Sequence, residues 1–187
     1  AVLHERFSTS RTGWFRWVFD HFDLTAPGGR LLEVGCGPGR LWAAQRARTP
    51  PGWAVVLTDL SAGMIREARL LLGTGSPFHF AVGDAQALPF SRSGFDVVVA
   101  NHMLYHVPDL EAALHEIRRV LRPGGTLFAA TNGRNHTREL DELVRRFDPS
   151  LPGWAPDRPK AFSLENGRTI LRGFFDRVAV VFIAVRS

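Results

Sequence analysis

The sequence has one cysteine, one lysine and no long apolar run, and each scarcity excludes a class of protein. Cys36 has no partner for an internal disulfide, which excludes a disulfide-rich secreted scaffold and favours a cytoplasmic location. No stretch approaches the roughly 18–20 apolar residues of a membrane span. The opening residues, AVLHERFSTSR, carry charges where a signal peptide needs an apolar core, so we expect no targeting segment.

The positive charge is almost entirely arginine, because Lys160 is the only lysine among 23 basic residues in a chain of net charge +5. These arginines are scattered as pairs along the polar faces of predicted helices. There is no basic run interleaved with aromatic residues, as in proteins that follow a nucleic-acid backbone. We therefore interpret the charge as solvated helix faces rather than a nucleic-acid patch.

Short apolar runs alternate with longer amphipathic segments in this 187-residue chain, and that pattern predicts a single α/β domain with a doubly wound, mostly parallel sheet. Runs such as DVVVA do not alternate in polarity, as expected of strands covered on both faces. The predicted strands are Leu31–Val34, Ala54–Thr58, Phe78–Val82, Phe95–Ala100, Thr126–Thr131 and Phe174–Val185.

Helices are predicted between these strands. Ser61 and Asp109 are suitable N-caps, and the helix after Asp109 stops at a Pro-Gly-Gly sequence that leads into the next strand. A further helix after Thr137 is expected to face inward through four apolar residues, Leu140, Leu143, Val144 and Phe147.

Two aromatic regions are candidate lids over an apolar ligand. The N-terminal segment is predicted to be helical and to pack across the sheet, and its Trp14, Phe15 and Trp17 either cover a ligand or simply pack. Trp154, in a proline-rich loop, is the second candidate.

Residues 30–40, RLLEVGCGPGR, contain the first predicted strand, which is followed directly by three glycines in the five positions 35–39. In a doubly wound sheet the ligand crevice lies at the carboxyl ends of the strands, where the strand order reverses. Glycines there admit positive φ and let a ligand approach the backbone, although an ordinary tight turn would look similar. A nicotinamide fingerprint would need glycine at the position of Arg40, and a P-loop would need a lysine.

Polar residues follow three further predicted strands. Asp59 ends the second, where a carboxylate accepts hydrogen bonds from ribose hydroxyls. Asp84 follows the third, where it can accept from an exocyclic adenine amine. Alternatively, both are ordinary aspartates at a helix start or turn. The fourth strand ends in ANHMLYHV, which places several polar and aromatic side chains at the same crevice.

Five segments together resemble the class I S-adenosylmethionine-dependent methyltransferases, and in particular the small-molecule branch that contains ubiquinone/menaquinone C-methyltransferases. The resemblance covers about residues 30–131 and implies a Rossmann-like methyltransferase sheet that binds S-adenosylmethionine. The C-terminus departs from the family's seven-stranded pattern, because only FFDRVAVVFIAVRS remains for the last strands, so we expect a shortened C-terminal edge. The segments, in the family's order and spacing, are LLEVGCGPGR, VVLTDLSAGMI, VGDAQALPF, FDVVVANHMLYHV and LHEIRRVLRPGGTL.

The resemblance implies cofactor-binding roles in the glycine turn. Glu33 would orient the turn, while Gly35, Cys36 and Gly37 would pass close under the amino-acid part of the cofactor, before the helix that opens at Gly39. Nothing nearby activates Cys36, which is expected to be a small turn residue and not a nucleophile.

The resemblance also implies how the adenosine part is held. Asp59 would bind the ribose, and Leu60 and Met64 would flank the adenine. Asp84 and the backbone of Ala85 would read the edge of the ring.

The remaining candidates follow the fourth and fifth strands. By resemblance, Asn101 and His102 would lie near the methionine part of the cofactor. A general base is needed only if the acceptor atom carries a proton at neutral pH. His106 is the first candidate base and His136 the second, although either histidine can be purely structural. No metal ion is part of this expectation.

The sequence thus predicts transfer of a methyl group from S-adenosylmethionine to a small-molecule acceptor by in-line displacement, with S-adenosylhomocysteine as product. The alternatives are an RNA or protein methyltransferase and a non-catalytic protein that binds S-adenosylmethionine. A single domain is expected over residues 1–187. It would comprise an N-terminal helical cap (1–28), a cofactor-binding core (29–131), and acceptor-side helices with an edge strand (132–187).

Overall fold

A computed structural model describes residues 13–75, 77–136, 138–150 and 162–181. The strands in these residues are β1 (Gly29–Val34), β2 (Trp53–Asp59), β3 (Phe78–Val82), β4 (Phe95–Asn101) and β5 (Leu121–Ala130). The α-helices are α1 (Trp14–Asp20), α2 (Arg40–Gln45), α3 (Ala62–Leu72), α4 (Leu110–Val120), α5 (Arg138–Phe147) and α6 (Gly167–Arg172). Short 3-10 helices cover Arg46–Arg48 and Leu104–His106.

The five strands form one sheet in the order β3-β2-β1-β4-β5, and every neighbouring pair is parallel. The order runs outward from β1 in both directions, so it reverses between β1 and β4. This is the doubly wound arrangement, in which the ligand crevice opens at the carboxyl ends of β1 and β4. The predicted fold class is confirmed.

Helices cover both faces of the sheet because successive side chains of each buried strand point to opposite sides. Leu31 of β1 packs in the cluster that contains Trp42 of α2, on the side of α1 to α3. Leu32 packs in the other cluster, with Leu114 and Ile117 of α4. The centre of the sheet is therefore fixed from both sides, and the strand ends that form the crevice are fixed with it.

The predicted helix caps are present. The Ser61 hydroxyl accepts from the Met64 amide at 3.3 Å, and the Asp109 carboxylate accepts from the Ala112 amide at 3.0 Å. After α4 the chain enters β5 at once, so β5 begins at Leu121 rather than at the predicted Thr126. The Pro-Gly-Gly sequence lies inside the strand, where the pairing with β4 shifts register.

Two expectations for the C-terminal part are wrong within the described residues. The apolar side of α5 does not face inward, because Leu143 is 61% and Phe147 87% exposed. A helix that links two strands of one sheet must lie on it, whereas α5 follows β5 and leads to no further described strand. Residues 174–181 form no strand either, and the rest of the predicted strand, residues 182–185, lies outside the described residues.

The N-terminal helix is confirmed for residues 14–20, and residues 1–12 lie outside the described part. Val18 and Phe19 are buried in the core beside Trp42, so this side of α1 packs. Trp14 and Trp17 are only half-buried. The other lid candidate, Trp154, lies outside the described residues. Of the helices in the described ranges, none combines the length and apolar character that crossing a membrane requires.

Candidate functional site

The three glycines of the turn after β1 all have positive φ: 69° at Gly35, 54° at Gly37 and 73° at Gly39. A Cβ on Gly35 would lie 2.7 Å from the Cβ of Met103, and one on Gly39 would lie 2.9 Å from a methyl carbon of Leu72. A Cβ on Gly37 would meet nothing within 4 Å. The outer glycines therefore allow close packing, while the middle one leaves space for a ligand against the backbone.

Asp59, at the end of β2, fixes this turn. Its Oδ2 accepts from the amide of Gly37 and its Oδ1 from the amide of Ser61, each at 2.9 Å. The amide of Cys36 donates to the carbonyl of Thr58 at 2.9 Å. The carboxylate thus joins the turn to the start of α3, and its remaining lone pairs are available to hydroxyl donors.

Glu33 is the buried acid of the site, with 3% of its surface exposed. Its Oε2 accepts from the indole N–H of Trp42 at 2.6 Å, and its Oε1 accepts from the side-chain amide of Asn101 at 3.2 Å. Burial raises the pKa of this carboxyl to about 7, although both hydrogen bonds oppose the shift. Glu33 therefore connects α2, β1 and β4 at the point where the strand order reverses.

Cys36 is buried beside these acids, and its thiol donates to the carbonyl of Gly37 at 3.3 Å. Burial raises the pKa of the thiol strongly, and the charges of Glu33 and Asp59 raise it further. A thiol that stays protonated is a poor nucleophile. The geometry thus supports the expectation that Cys36 is a turn residue.

The expected adenine side combines exposed apolar groups with a carboxylate. Leu60 is 72% exposed directly after β2, and Met64 is also exposed, in the first turn of α3. Asp84 follows β3 and accepts from the backbone and side-chain amides of Gln86 at 2.8–3.1 Å. These bonds hold the pKa of Asp84 below its ordinary value, so it is anionic at neutral pH. Ala85 is buried beside it.

Beyond β4, aromatic side chains form a row across the mouth of the crevice. His102 has φ 53°, in the left-handed region that favours glycine, and its ring centroid lies 4.7 Å from that of Trp14. The rings of Tyr105 and His106 are 4.4 Å apart, and Tyr105 lies 6.4 Å from His102. His136 is exposed in the loop after the neighbouring strand β5.

A cavity of about 170 Å³ lies at the carboxyl end of β5. Its lining includes Trp14, Trp17, Phe162 and Arg168. A second cavity, of about 700 Å³, runs beside the outer edge of β5. His106 and His136 line neither of the two.

Hydrogen bonds hold residues 162–166 against the loop that follows β5. The hydroxyl of Thr131 donates to the carbonyl of Phe162 at 2.8 Å, and the amide of Arg134 donates to the Glu165 carboxylate at 2.9 Å. Sequence reasoning missed Trp42, Phe162 and Arg168. Of these three residues, only Trp42 could have been found from the sequence. It lies about one helical turn after the glycine turn, and a buried indole there needs a hydrogen-bond acceptor for its N–H.

Sequence comparison identifies the family. The family model described as a methyltransferase domain matches residues 32–129, more than half of the chain. The chain therefore belongs to this family, and the predicted class, the S-adenosylmethionine-dependent methyltransferases, is confirmed.

Among curated relatives, the chain is 37% identical over 118 residues to the ubiquinone/menaquinone biosynthesis C-methyltransferase UbiE of Hahella chejuensis, covering 62% of this chain and 47% of that protein. It is 35% identical over 125 residues to the malonyl-[acyl-carrier protein] O-methyltransferase of Erwinia billingiae, covering 67% and 47%. The chain thus spans about half the length of the curated relatives it matches. A solved S-adenosylmethionine-dependent methyltransferase from Thermotoga maritima has the same fold, with TM-score 0.60 and 23% identity, over 85% of this chain and 67% of that one.

The arrangement of the turn fits the cofactor of this family. Free space in front of Gly37 accommodates a ligand against the backbone, and the carboxylate of Asp59 adjoins it. The exposed side chains of Leu60 and Met64 provide apolar surface just after the carboxyl end of β2. These groups suit the three parts of S-adenosylmethionine, which are a polar amino-acid chain, a ribose diol and a flat adenine ring.

Proposed function

We propose that the chain transfers a methyl group from S-adenosylmethionine to a small organic acceptor. The observation that carries this proposal is the geometry at Gly37, the middle glycine of the turn. Gly37 leaves open space while its amide is held by Asp59 from the neighbouring strand, so the turn is ordered before any ligand arrives. Such preorganisation reduces the entropy that binding would otherwise lose.

In this proposal the residues of the chain bind the cofactor and orient it. Asp59 accepts from the ribose hydroxyls, Leu60 and Met64 pack on the adenine, and Asp84 with Ala85 contacts the edge of the ring. When bound, S-adenosylmethionine supplies a methyl group that its sulfonium activates for in-line displacement. The remaining task of the protein is to align the acceptor atom and exclude water.

We assign the acceptor to the cavity at the end of β5, where Trp14 and Trp17 supply apolar surface and Arg168 supplies a cation. His106 and His136 follow β4 and β5 but do not line this cavity, so they are candidate bases for an acceptor that extends beyond it and must lose a proton. The division into a helical cap (1–28), a cofactor core (29–131) and an acceptor side (132–187) belongs to the same proposal.

Two named relatives support a small organic acceptor. One is named for quinone biosynthesis and methylates carbon, and the other methylates the oxygen of a malonyl group carried by a protein. Because the two differ in the acceptor atom, their similarity to this chain supports the class of acceptor and not the atom.

The test uses S-adenosylmethionine labelled with tritium in the methyl group. The protein is incubated separately with a small-molecule extract, bulk RNA and a protein extract. Label is expected in the small-molecule fraction, and it should disappear in Asp59→Ala. The control is Asp23→Ala, since Asp23 is an exposed turn aspartate bonded only to Thr25 in the described structure. Label in RNA or on the amino-acid side chains of protein, or binding without label in any pool, would overturn the proposal, whereas label on an acyl group carried by a protein would agree with it.

A further inference from the structure

Trp42 differs from the other described tryptophans because its indole N–H donates to a buried carboxylate. Its side chain is fully buried on α2, among the rings of Phe19, Phe22 and Phe78. Its one polar atom, the indole N–H, is directed at the Glu33 carboxylate at 2.6 Å. The aromatic cluster therefore fixes the donor, and the donor in turn fixes the acid.

The second bond to Glu33 comes from the opposite side. Asn101, at the end of β4, donates to the other carboxylate oxygen at 3.2 Å. β1 and β4 are the strands between which the sheet order reverses. The two donors therefore hold both oxygens of one buried acid under the glycine turn.

We propose that Trp42 is a positioning residue, whose indole N–H holds the buried Glu33 carboxylate, together with Asn101, as an oriented anion beneath the cationic end of the bound cofactor. This inference rests on the proposed function and on the placement that the family resemblance implies, in which the amino-acid part of the cofactor lies close over Gly35, Cys36 and Gly37. It adds a residue that touches neither cofactor nor acceptor and acts through Glu33.

The charge of Glu33 depends on its surroundings. The described titratable groups nearest to it are Asp59 at the end of β2 and the Cys36 thiol in the turn, while the donors from α2 and β4 are neutral. Burial, with a smaller contribution from the negative charge of Asp59, raises the pKa of Glu33 to about 7. The Trp42 and Asn101 bonds oppose this, so losing the indole donor should raise the pKa further.

The experiment compares Trp42→Phe with Trp53→Phe. Both replacements keep a buried aromatic ring in the same hydrophobic cluster and delete one indole donor. The N–H of Trp53, however, donates to the carbonyl of Ala26 at 3.1 Å, away from the acid. Binding of S-adenosylhomocysteine, which keeps the ammonium, is measured by calorimetry from about pH 5.5 to 8.5.

Trp42→Phe is expected to weaken binding about tenfold near pH 6 and less than twofold near pH 8.5, since only the anion is competent and a lost bond to a charged group shifts a pKa by about one unit. Trp53→Phe should follow the wild-type pH profile. A loss in Trp42→Phe that is equal at all pH values, or an unchanged profile, would overturn the positioning role. Absence of binding by the wild type at every pH would instead overturn the cofactor placement itself.

Discussion

α4 and α5 flank the same strand, are similar in length, and carry similar apolar stripes, yet their surroundings differ completely. Four residues of the α4 stripe are fully buried: Ala113, Leu114, Ile117 and Val120. On α5, Leu143 and Phe147 point to solvent. α4 links β4 to β5 and must lie on the sheet between them, whereas α5 leads to no further described strand. A stripe therefore predicts a helix but does not specify what the helix will face.

The cofactor side and the acceptor side of the crevice differ in a similar way. On the cofactor side, the turn after β1 is bonded to the end of β2, and Glu33 is bonded to β4. On the acceptor side, the loop after β5 is held by residues 162–166, and β5 has one strand partner in the described sheet. The cofactor half is thus built from paired strands, while the acceptor half depends on loops and helix ends.

The largest expected effect comes from the buried stripe. Leu114→Ala should lower the free energy of unfolding by about 2–5 kcal/mol, because it removes a fully buried side chain and leaves a cavity between α4 and the sheet. Chemical denaturation measures this directly. A loss below about 1 kcal/mol would mean that α4 is not packed as the structure describes.

The second effect is a dependence of the free energy of unfolding on pH, which tests Glu33 in the cofactor half of the crevice. Burial raises the pKa of Glu33 from 4.5 to about 7, so the native protein retains a proton that the unfolded chain releases. The contribution of Glu33 to the free energy of unfolding is therefore fully present below pH 4.5 and is lost as the pH rises through about 7. The change amounts to about 3 kcal/mol.

Glu33→Gln removes this titration while keeping an acceptor oxygen for Trp42. Relative to wild type, the variant should gain stability by that amount as the pH rises across the interval. Denaturation at several pH values gives the difference, with Glu67→Gln as an exposed control on α3. A constant difference between Glu33→Gln and wild type would show that Glu33 does not titrate there.

The third effect separates a ligand role from backbone strain. Gly37 and Gly124 both have positive φ, 54° and 78°, and a Cβ on either meets nothing within 4 Å. Alanine at each should therefore cost a similar 1–2 kcal/mol or so of stability. Only Gly37→Ala should also weaken S-adenosylhomocysteine binding, by about tenfold or more, because its methyl group enters the proposed site. Equal affinities of the two variants in calorimetry would contradict the placement of the cofactor.

The sequence allowed the buried centre to be predicted better than the rest. β3 has the predicted bounds, β4 ends one residue later than predicted, and β2 is one residue longer at each end, because an apolar run flanked by turn residues leaves few alternatives. β5 was predicted too short, since Pro123 and the glycines after it usually end an element and here lie inside a strand. The Glu33–Trp42 bond depends on the orientation of α2 against the sheet, and the left-handed backbone of His102 depends on packing at the crevice. Neither is encoded in local spacing.

The smallest effect is expected on α5. Leu143→Ala removes the same atoms as Leu114→Ala, but from a side chain that is 61% exposed. Little apolar surface changes its contact with water, so the free energy of unfolding should stay within about 0.5 kcal/mol of wild type. The same denaturation assay applies to both variants. A loss of more than about 1 kcal/mol at Leu143 would mean that the stripe of α5 is covered in solution, and the contrast between the two helices would then disappear.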